Sequence, residues 1–463
     1  MASSTKLAAL RHELRPTLRI ALPLVFAELG WMSMSVVDTI MVGRLPNAAL
    51  AIGAAGLASG LYYTIAIFGS GLLLGLDTLV AQAFGRDDLH DARHSLFNSL
   101  VLALGLAPLL MVAVSFWPPL MTRVGVQPEI VTAMRPFLAA LNWGTLPLMA
   151  YFALRRYLQA VQIVKPVTFA LISANVVNAL FNWIFIYGHL GMRPMGLAGS
   201  GWSTCLARVY MAAALLLTLA WSDRRRRLGL RAAGLRVELR RMRHLLALGF
   251  PAALQILIEI GAFSAVRALA GRMSTMALAA HQIAITCAAF TFMVPLGISS
   301  AAAVRVGNCI GRGDLRAARH AGWTAIALGA GFMACAAAVF LVARHMIARI
   351  FTPDQEVIHA GATLLLIAAV FQLFDGIQTV ATGALRGAGD TRTPLIANFL
   401  AYWALGLPIG YVLGFKLGWG APGLWIGLCI GLMIVGISLL AAWHRRTAAG
   451  ARPLPIKSVT VGE

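Results

Sequence analysis

Charge is what this sequence has least of. Only 12% of its 463 residues are Asp, Glu, Lys or Arg, about half the share found in water-soluble domains, while 59% are hydrophobic. That balance argues against a soluble fold. Acidic residues are scarcer still, 17 against 38 basic ones, giving a formal net charge of +21. Such an excess points to nucleic acid, acidic lipid or membrane topology, and the placement of the basic residues decides among them. They sit between apolar runs, and aromatics are interleaved with aliphatics rather than with Lys and Arg. No nucleic-acid-binding patch is formed.

The five cysteines form no CxxC pair and no Cys/His cluster, which argues against a disulfide scaffold or a zinc site. The phosphate-loop pattern GxxxxGK[ST], HExxH and GxSxG are all missing. No cofactor and no enzymatic activity are expected, and an ion gradient is the remaining energy source. The first twenty residues lack a short apolar core followed by a small-residue cleavage site, so they read as retained rather than as a signal peptide.

Long apolar runs are what the chain has in abundance. A helix needs about 20 mostly apolar residues to cross the hydrocarbon layer. The runs predict twelve spans, near 18–43, 50–80, 95–117, 131–154, 166–188, 197–221, 244–267, 276–303, 319–342, 358–383, 394–415 and 421–443. With the N-terminus assigned to the cytoplasm, 28 of the 38 basic residues fall on that side of the membrane and nine on the other, as the positive-inside bias requires. Arg208 alone is expected within a span. The expected location is a bacterial inner membrane, with both termini cytoplasmic. The richest basic segment, 222–243, divides the chain into an N-lobe (1–221, spans 1–6) and a C-lobe (244–443, spans 7–12), with a tail at 444–463. It is also suited to touch anionic lipid.

The two halves echo one another. GRDDLHDARH at 85–94 and GRGDLRAARH at 311–320 agree at seven of ten positions. Weaker echoes follow in order: ALP (21–23) with GFP (249–251), YLQAVQIVKP (157–166) with LRGAGDTRTP (385–394), and MGL (195–197) with PGL (422–424). Each half holds an even number of spans, so the repeats are parallel, related by an axis along the membrane normal. The expected fold is an all-α integral membrane protein, with twelve transmembrane helices in two six-helix lobes around a central cavity. The plainer alternative is two bundles packed side by side without a cavity.

Five acids fall within the expected spans: Glu28, Asp38, Asp77, Glu259 and Asp375. Each costs roughly 2.5–3.5 kcal/mol at a helix centre on insertion scales, which makes each a candidate for function. Asp77, near a cytoplasmic helix end, is explained by snorkelling or capping. Glu259 has no cationic neighbour one turn away, so it either binds a cation or holds a proton. Asp375 is flanked by Gln372 and Gln378 on part of one helical face. In the first half, Asp38 is accompanied by Asn175, Asn178 and Asn182 at spacings of three and four. Carboxylate and amide oxygens suit a hard cation such as Na+, and the same groups suit a proton-linked network or helix-to-helix contacts. At the repeat offset Asp38 faces Val266 and Glu259 faces Trp31, so the halves have specialised. Prolines at 23, 147, 251, 295 and 408 permit bends. The 18 Met and 21 Phe suit adaptable apolar walls or plain lipid-facing packing.

VVDTIMVG (36–43), GLDTLVAQAFGRDD, AVRVGNCIGRGDLRAAR, LFDGIQTVATGALRGAGDTRTP and YWALGLPIGYVLG together resemble the multidrug and toxic compound extrusion (MATE) family, in its NorM-like bacterial branch. These segments are spread over both halves. The resemblance implies a monomeric exporter of organic cations or drugs, coupled by alternating access to inward Na+ or H+ flow across the lipid bilayer. It also implies a C-lobe cation site at Glu259 and Asp375 and an N-lobe constellation at Asp38, Asn178, Asn182 and Thr204. Gln282, Phe371 and Gln378 are expected to line the substrate cavity. Some relatives have an aspartate at the position of Asn182, and some a tyrosine at that of Phe371. Two rival readings remain: a lipid-linked oligosaccharide flippase, which would want a positively charged cavity where the spans here carry mostly acids, and an integral membrane enzyme acting on a lipid.

Overall fold

The computed structural model of the chain describes residues 2–226 and 236–448. Residues 227–235 of the basic segment and 449–463 of the tail lie outside the described residues. Everything described is helix or short connection, with no strand. That follows from the composition, because a backbone inside hydrocarbon must satisfy its own polar groups, and a helix does so within one segment.

The first half builds α1 (Ala2–Val42), α2 (Ala48–Leu72), α3 (Gly75–Gly85), α4 (Leu89–Ser115), α5 (Trp117–Arg123), α6 (Pro128–Trp143), α7 (Thr145–Ala160), α8 (Lys165–Tyr187) and α9 (Leu197–Arg226). The second builds α10 (Leu239–Met273), α11 (Thr275–Gly311), α12 (Leu315–Phe351) and α13 (Gln355–Gly387). One irregular rod follows: α14 (Arg392–Asn398), a π-helical turn (Phe399–Gly406), α15 (Leu407–Tyr411) and a second π-helical turn (Val412–Lys416). The final helix is α16 (Gly420–Thr447). Among the described residues eleven stretches are long and apolar enough to cross a membrane, and twelve if the bent pair α6 and α7 is counted as one span. This pair is the span expected at 131–154; it breaks at Gly144 with a 42° bend.

The sequence repeat has a local physical cause. Asp88 and Asp314, at matching positions of the two motifs, each accept a 2.9 Å hydrogen bond from a backbone N–H in the first turn of the next helix. They are the N-caps of α4 and α12. Such a cap satisfies a donor that the helix start leaves orphaned. The residue before each cap takes the left-handed conformation, Asp87 at φ 63° and Gly313 at φ 78°. Glycine accepts that region freely, and aspartate is among the few other residues that visit it.

By contact the chain forms two compact units. Among the described residues, one gathers 2–25 and 254–448, and the other takes those between 26 and 253. The duplicated halves of the sequence and the units of contact are thus offset, each division falling inside a helix, α1 or α10, two residues beyond Pro23 or Pro251. Within the second unit the start of α10 lies against the end of α2. An added Cβ on Gly249 would stand 1.8 Å from the Leu72 carbonyl oxygen. Gly249→Ala is therefore expected to lower the thermal unfolding midpoint in detergent markedly, as overpacking costs about 1–3 kcal/mol. Gly331→Ala, whose Cβ would meet nothing within 4 Å, is expected to hold or raise it.

Candidate functional site

Two of the five intramembrane acids are answered by arginines. Glu28 on α1 pairs with Arg155, and Asp77, in the first turn of α3, pairs with Arg156 at 3.3 Å. Both arginines belong to α7, which continues to Ala160, whereas the hydropathy pattern places them in a loop. Arg155 is 3% exposed, so Arg208 is not the lone basic residue buried among the helices. Removing one partner of such a pair leaves a buried charge uncompensated, and this pairing accounts for Glu28 and Asp77 structurally.

The other three acids are held differently. Asp38 projects from α1 toward α8 and α9. Asn182 donates to its Oδ1 at 2.6 Å, and Thr204 donates to its Oδ2 at 3.3 Å. Asn182 also donates to Asn178 Oδ1 at 3.1 Å, a contact that the spacing of four residues along α8 provides. Asn175, one turn earlier, serves another purpose: its amide donates to the Gly30 and Leu171 carbonyls at 3.0 Å, tying α8 to α1. The asparagine stripe is thus part cluster and part interhelical tie. Asn182 Oδ1, on the amide that donates to Asp38, is buried with no hydrogen-bond partner among the described residues, as is the Ser200 hydroxyl one turn before Thr204. Spare oxygens beside a carboxylate are what a hard cation requires.

A basic group stands one turn from this cluster. Arg208 lies on α9 four residues beyond Thr204, fully buried, and donates to Tyr62 Oη at 2.7 Å and to the Leu141 carbonyl at 3.2 Å. Leu141 sits in the last turn of α6, and its carbonyl also accepts from the Gly144 backbone N–H at 3.1 Å. Access to it depends on Gly144 at the break, since an added Cβ there would come 2.9 Å from Arg208 Nη1. The Tyr62 and Thr145 hydroxyls share a 3.0 Å hydrogen bond, and Thr145 donates to Asn142 at 3.3 Å.

In the second half, Glu259 on α10 is held by amides only. Gln255, one turn earlier, donates to its Oε2 at 3.3 Å, and Gln378 on α13 donates to its Oε1 at 3.1 Å. Tyr402 donates its hydroxyl to Gln378 Oε1 at 3.1 Å, fixing the amide so that its N–H2 faces the carboxylate. Asp375, also on α13, is buried, acts on Glu259 through space, and makes no hydrogen bond or ion pair among the described residues. Phe371 packs edge-on against Phe263 and Trp425, with both centroids 5.9 Å away, and so walls this cluster. Gln372 turns away, donating to Thr291. Gln282 is exposed on α11 and bonded to Arg267 and Thr286; no hydrogen bond joins it to Glu259.

Tyr402 and Gln255 escape the sequence reading. Gln255 is discoverable from its four-residue spacing to Glu259. Tyr402 is not, because it sits in the π-helical turn Phe399–Gly406, whose wider winding shifts side-chain register without a proline or glycine at Tyr402 to announce it. Trp403 Nε1 anchors the same turn on the Ile258 carbonyl at 3.0 Å.

A duplicated set of membrane-crossing helices, with a carboxylate cradled by neutral amide and hydroxyl groups in each half, is the build of a membrane carrier. The MatE family model matches residues 23–184 and again 251–412, one match for each half of the repeat. The chain belongs to the MatE family, and it is a multi-pass membrane protein. It is 36% identical over 443 residues to the probable multidrug resistance protein NorM of Mesorhizobium japonicum, covering 94% of each chain. With the probable multidrug resistance protein NorM of Bradyrhizobium diazoefficiens it shares 37% identity, covering 92% of each. The fold is that of solved MATE transporters, including a eukaryotic one at TM-score 0.85 and 19% identity, covering 95% of this chain and 98% of that one. A MOP superfamily transporter from Pyrococcus furiosus shares it at TM-score 0.83 and 19% identity, over 94% and 96%.

Gln378→Leu deletes both the donor to Glu259 and the acceptor for Tyr402. Leaving two buried polar groups unanswered costs about 1–3 kcal/mol each, so a clear fall in the thermal midpoint of the purified protein is expected. Gln282→Leu, at an exposed site outside the cluster, is expected to leave it within a degree or so of the parent, as surface changes commonly do.

Proposed function

We propose that this chain is a secondary active multidrug exporter, driving organic cations or drugs outward against inward Na+ or H+ by alternating access. One observation carries the reading: Glu259 is held only by Gln255 and Gln378, with Asp375 beside it, and neither acid is paired with a cation among the described residues. Carboxylates kept in a medium of low dielectric without a fixed counter-ion attract a mobile one. An inward-moving ion and an outward-moving amphiphilic cation drawn to the same charges weaken each other's binding reciprocally, which is the coupling an antiporter needs.

The aromatic wall of Phe371, Phe263 and Trp425 beside the acids supports an amphiphilic substrate, as do the names of the NorM relatives, probable multidrug resistance proteins. The Asp38 cluster, with Asn178, Asn182 and Thr204, is proposed as a second ion site. The excess of basic residues on one side of the spans supports cytoplasmic termini in a bacterial inner membrane, with the chain acting as a monomer built of lobes 1–221 and 244–443. The acids of the spans favour a cationic cargo over the pyrophosphate headgroup of a lipid-linked oligosaccharide.

Dye efflux from vesicles with Na+ and H+ gradients imposed separately tests this. The parent protein is expected to respond to at least one gradient. Glu259→Gln with Asp375→Asn, at matched expression, is expected to lose about tenfold or more of the gradient-driven rate, within the range of measured coupling energies. Full gradient-dependent efflux by that double variant would overturn the C-lobe assignment, and conductance independent of any gradient would make the protein a channel.

A further inference from the structure

Arg208 is a buried cation with no acid bonded to it. It is 1% exposed, and its hydrogen-bond partners are neutral: the Tyr62 hydroxyl and the Leu141 carbonyl. The guanidinium carbon lies 4.7 Å from the centroid of the Tyr62 ring, and the neutral Tyr63 hydroxyl also lies against the guanidinium. A guanidinium cannot shed its proton in a protein, so the charge is permanent. Such a charge is costly to keep unless another group compensates it. Capping the α6 terminus explains the Leu141 contact but not the choice of a charged group, since a glutamine amide offers the same donor.

The acid linked to Arg208, by way of Thr204, is Asp38. Thr204, the residue that donates to Asp38, stands one helical turn before Arg208 on α9, and Arg208 acts on Asp38 through space. The other titratable groups facing Arg208 are Tyr62 and Tyr63 of α2 and Cys205 of α9. From α8 come only the Asn178 and Asn182 amides, and α6 and α7 contribute a carbonyl and the Thr145 hydroxyl.

We infer that Arg208 is a tethered counter-cation that sets how tightly Asp38 holds a mobile ion. With Asp38 ionised, the two charges sum to zero. Once Na+ or a proton settles on Asp38, one positive charge remains uncompensated, and repulsion weakens the incoming ion's hold. The Glu259 and Asp375 cluster carries two acids and no comparable cation among the described residues. The two halves therefore offer sites of unequal strength, the one at Asp38 being the weaker and quicker to release. Arg208 acts through Asp38 and is a positioning residue.

This inference rests on the ion-coupled reading of Asp38, and its test separates the two. Glu259→Gln with Asp375→Asn serves as the background, leaving Asp38 as the titrating site. The purified full chain is titrated in detergent with Na+ and, separately, with H+, following the thermal midpoint, which rises when an ion binds the folded state. Arg208→Gln retains donors for Tyr62 and Leu141 but drops the charge. It is expected to bring half-saturation to about tenfold lower Na+, or about one pH unit higher for H+, the scale of one nearby charge removed. Arg208→Lys keeps the charge and is expected to titrate like the background, and so is Tyr62→Phe, which loses only the hydroxyl contact. Asp38→Asn is expected to abolish the response.

If Arg208→Gln titrates like the background while Asp38→Asn abolishes the response, the counter-cation role is overturned and the ion site stands. A background without any response, or one that Asp38→Asn leaves intact, overturns the ion site and this inference with it. Should Arg208→Gln not fold, Arg208→Lys decides: a shifted half-saturation with the charge intact overturns the inference.

Discussion

A carboxylate carried into hydrocarbon must be answered, and the way each one is answered organises this protein. Glu28 and Asp77 are answered by arginines and become struts between helices. Glu259 is answered by two amides, which lower the cost of burial without cancelling the charge. Asp375, with no donor of its own, adds to that charge. The difference between a full counter-charge and a dipole separates the acids that hold the fold from those that remain available to a ligand. Everything nearby serves that second arrangement. Tyr402 fixes which end of Gln378 faces Glu259, and Trp403 holds the π-helical turn that brings Tyr402 there.

Duplication gave both halves the same scaffold and left their chemistry free to diverge. Asp88 and Asp314 cap equivalent helices, and Asp87 and Gly313 make equivalent left-handed turns. These positions fix the backbone path, and they are where the two copies still read alike. The acids occupy non-equivalent places: apart from the carboxylates paired with Arg155 and Arg156, one half keeps Asp38, near Arg208, and the other keeps Glu259 and Asp375 with no cation bonded to either among the described residues. A parallel repeat does not enforce equal sites, because helix packing depends on small residues and caps rather than on the polar groups facing inward.

Much of this is legible in the sequence, and what is not has identifiable causes. Hydropathy locates the spans because each must carry about 20 apolar residues, the family segments contain Asp38 and Asp375, and Glu259 is visible as an acid inside an apolar run. The break at Gly144 is signalled only by Pro147, three residues on, since composition across 131–154 stays apolar through the bend. The pairing of Glu28 with Arg155 is hidden because it spans 127 positions and because α7 outlasts its apolar core. The polar stripe of α8 is visible as a stripe, yet only packing shows Asn175 tied to a backbone carbonyl of α1 while Asn178 and Asn182 face Asp38. Gln282 is similar: its residue type suits a cavity, and only packing shows its side chain bonded to Arg267 and Thr286. Periodicity reports which face of a helix is polar, and not which neighbour that face meets.

The buried arginine also bears on how the chain is made. A helix carrying a lone guanidinium enters a bilayer reluctantly, yet Asp38, Tyr62 and Leu141 all precede Arg208 in the chain. Ribosomal synthesis therefore delivers the polar niche before the group that needs it, and α9 can leave the insertion machinery already matched to a receptive surface. Glu28 has the reverse experience, waiting 127 residues for Arg155. The two buried charges are thus met in opposite orders along the chain, one by partners already made and the other by a partner still to come.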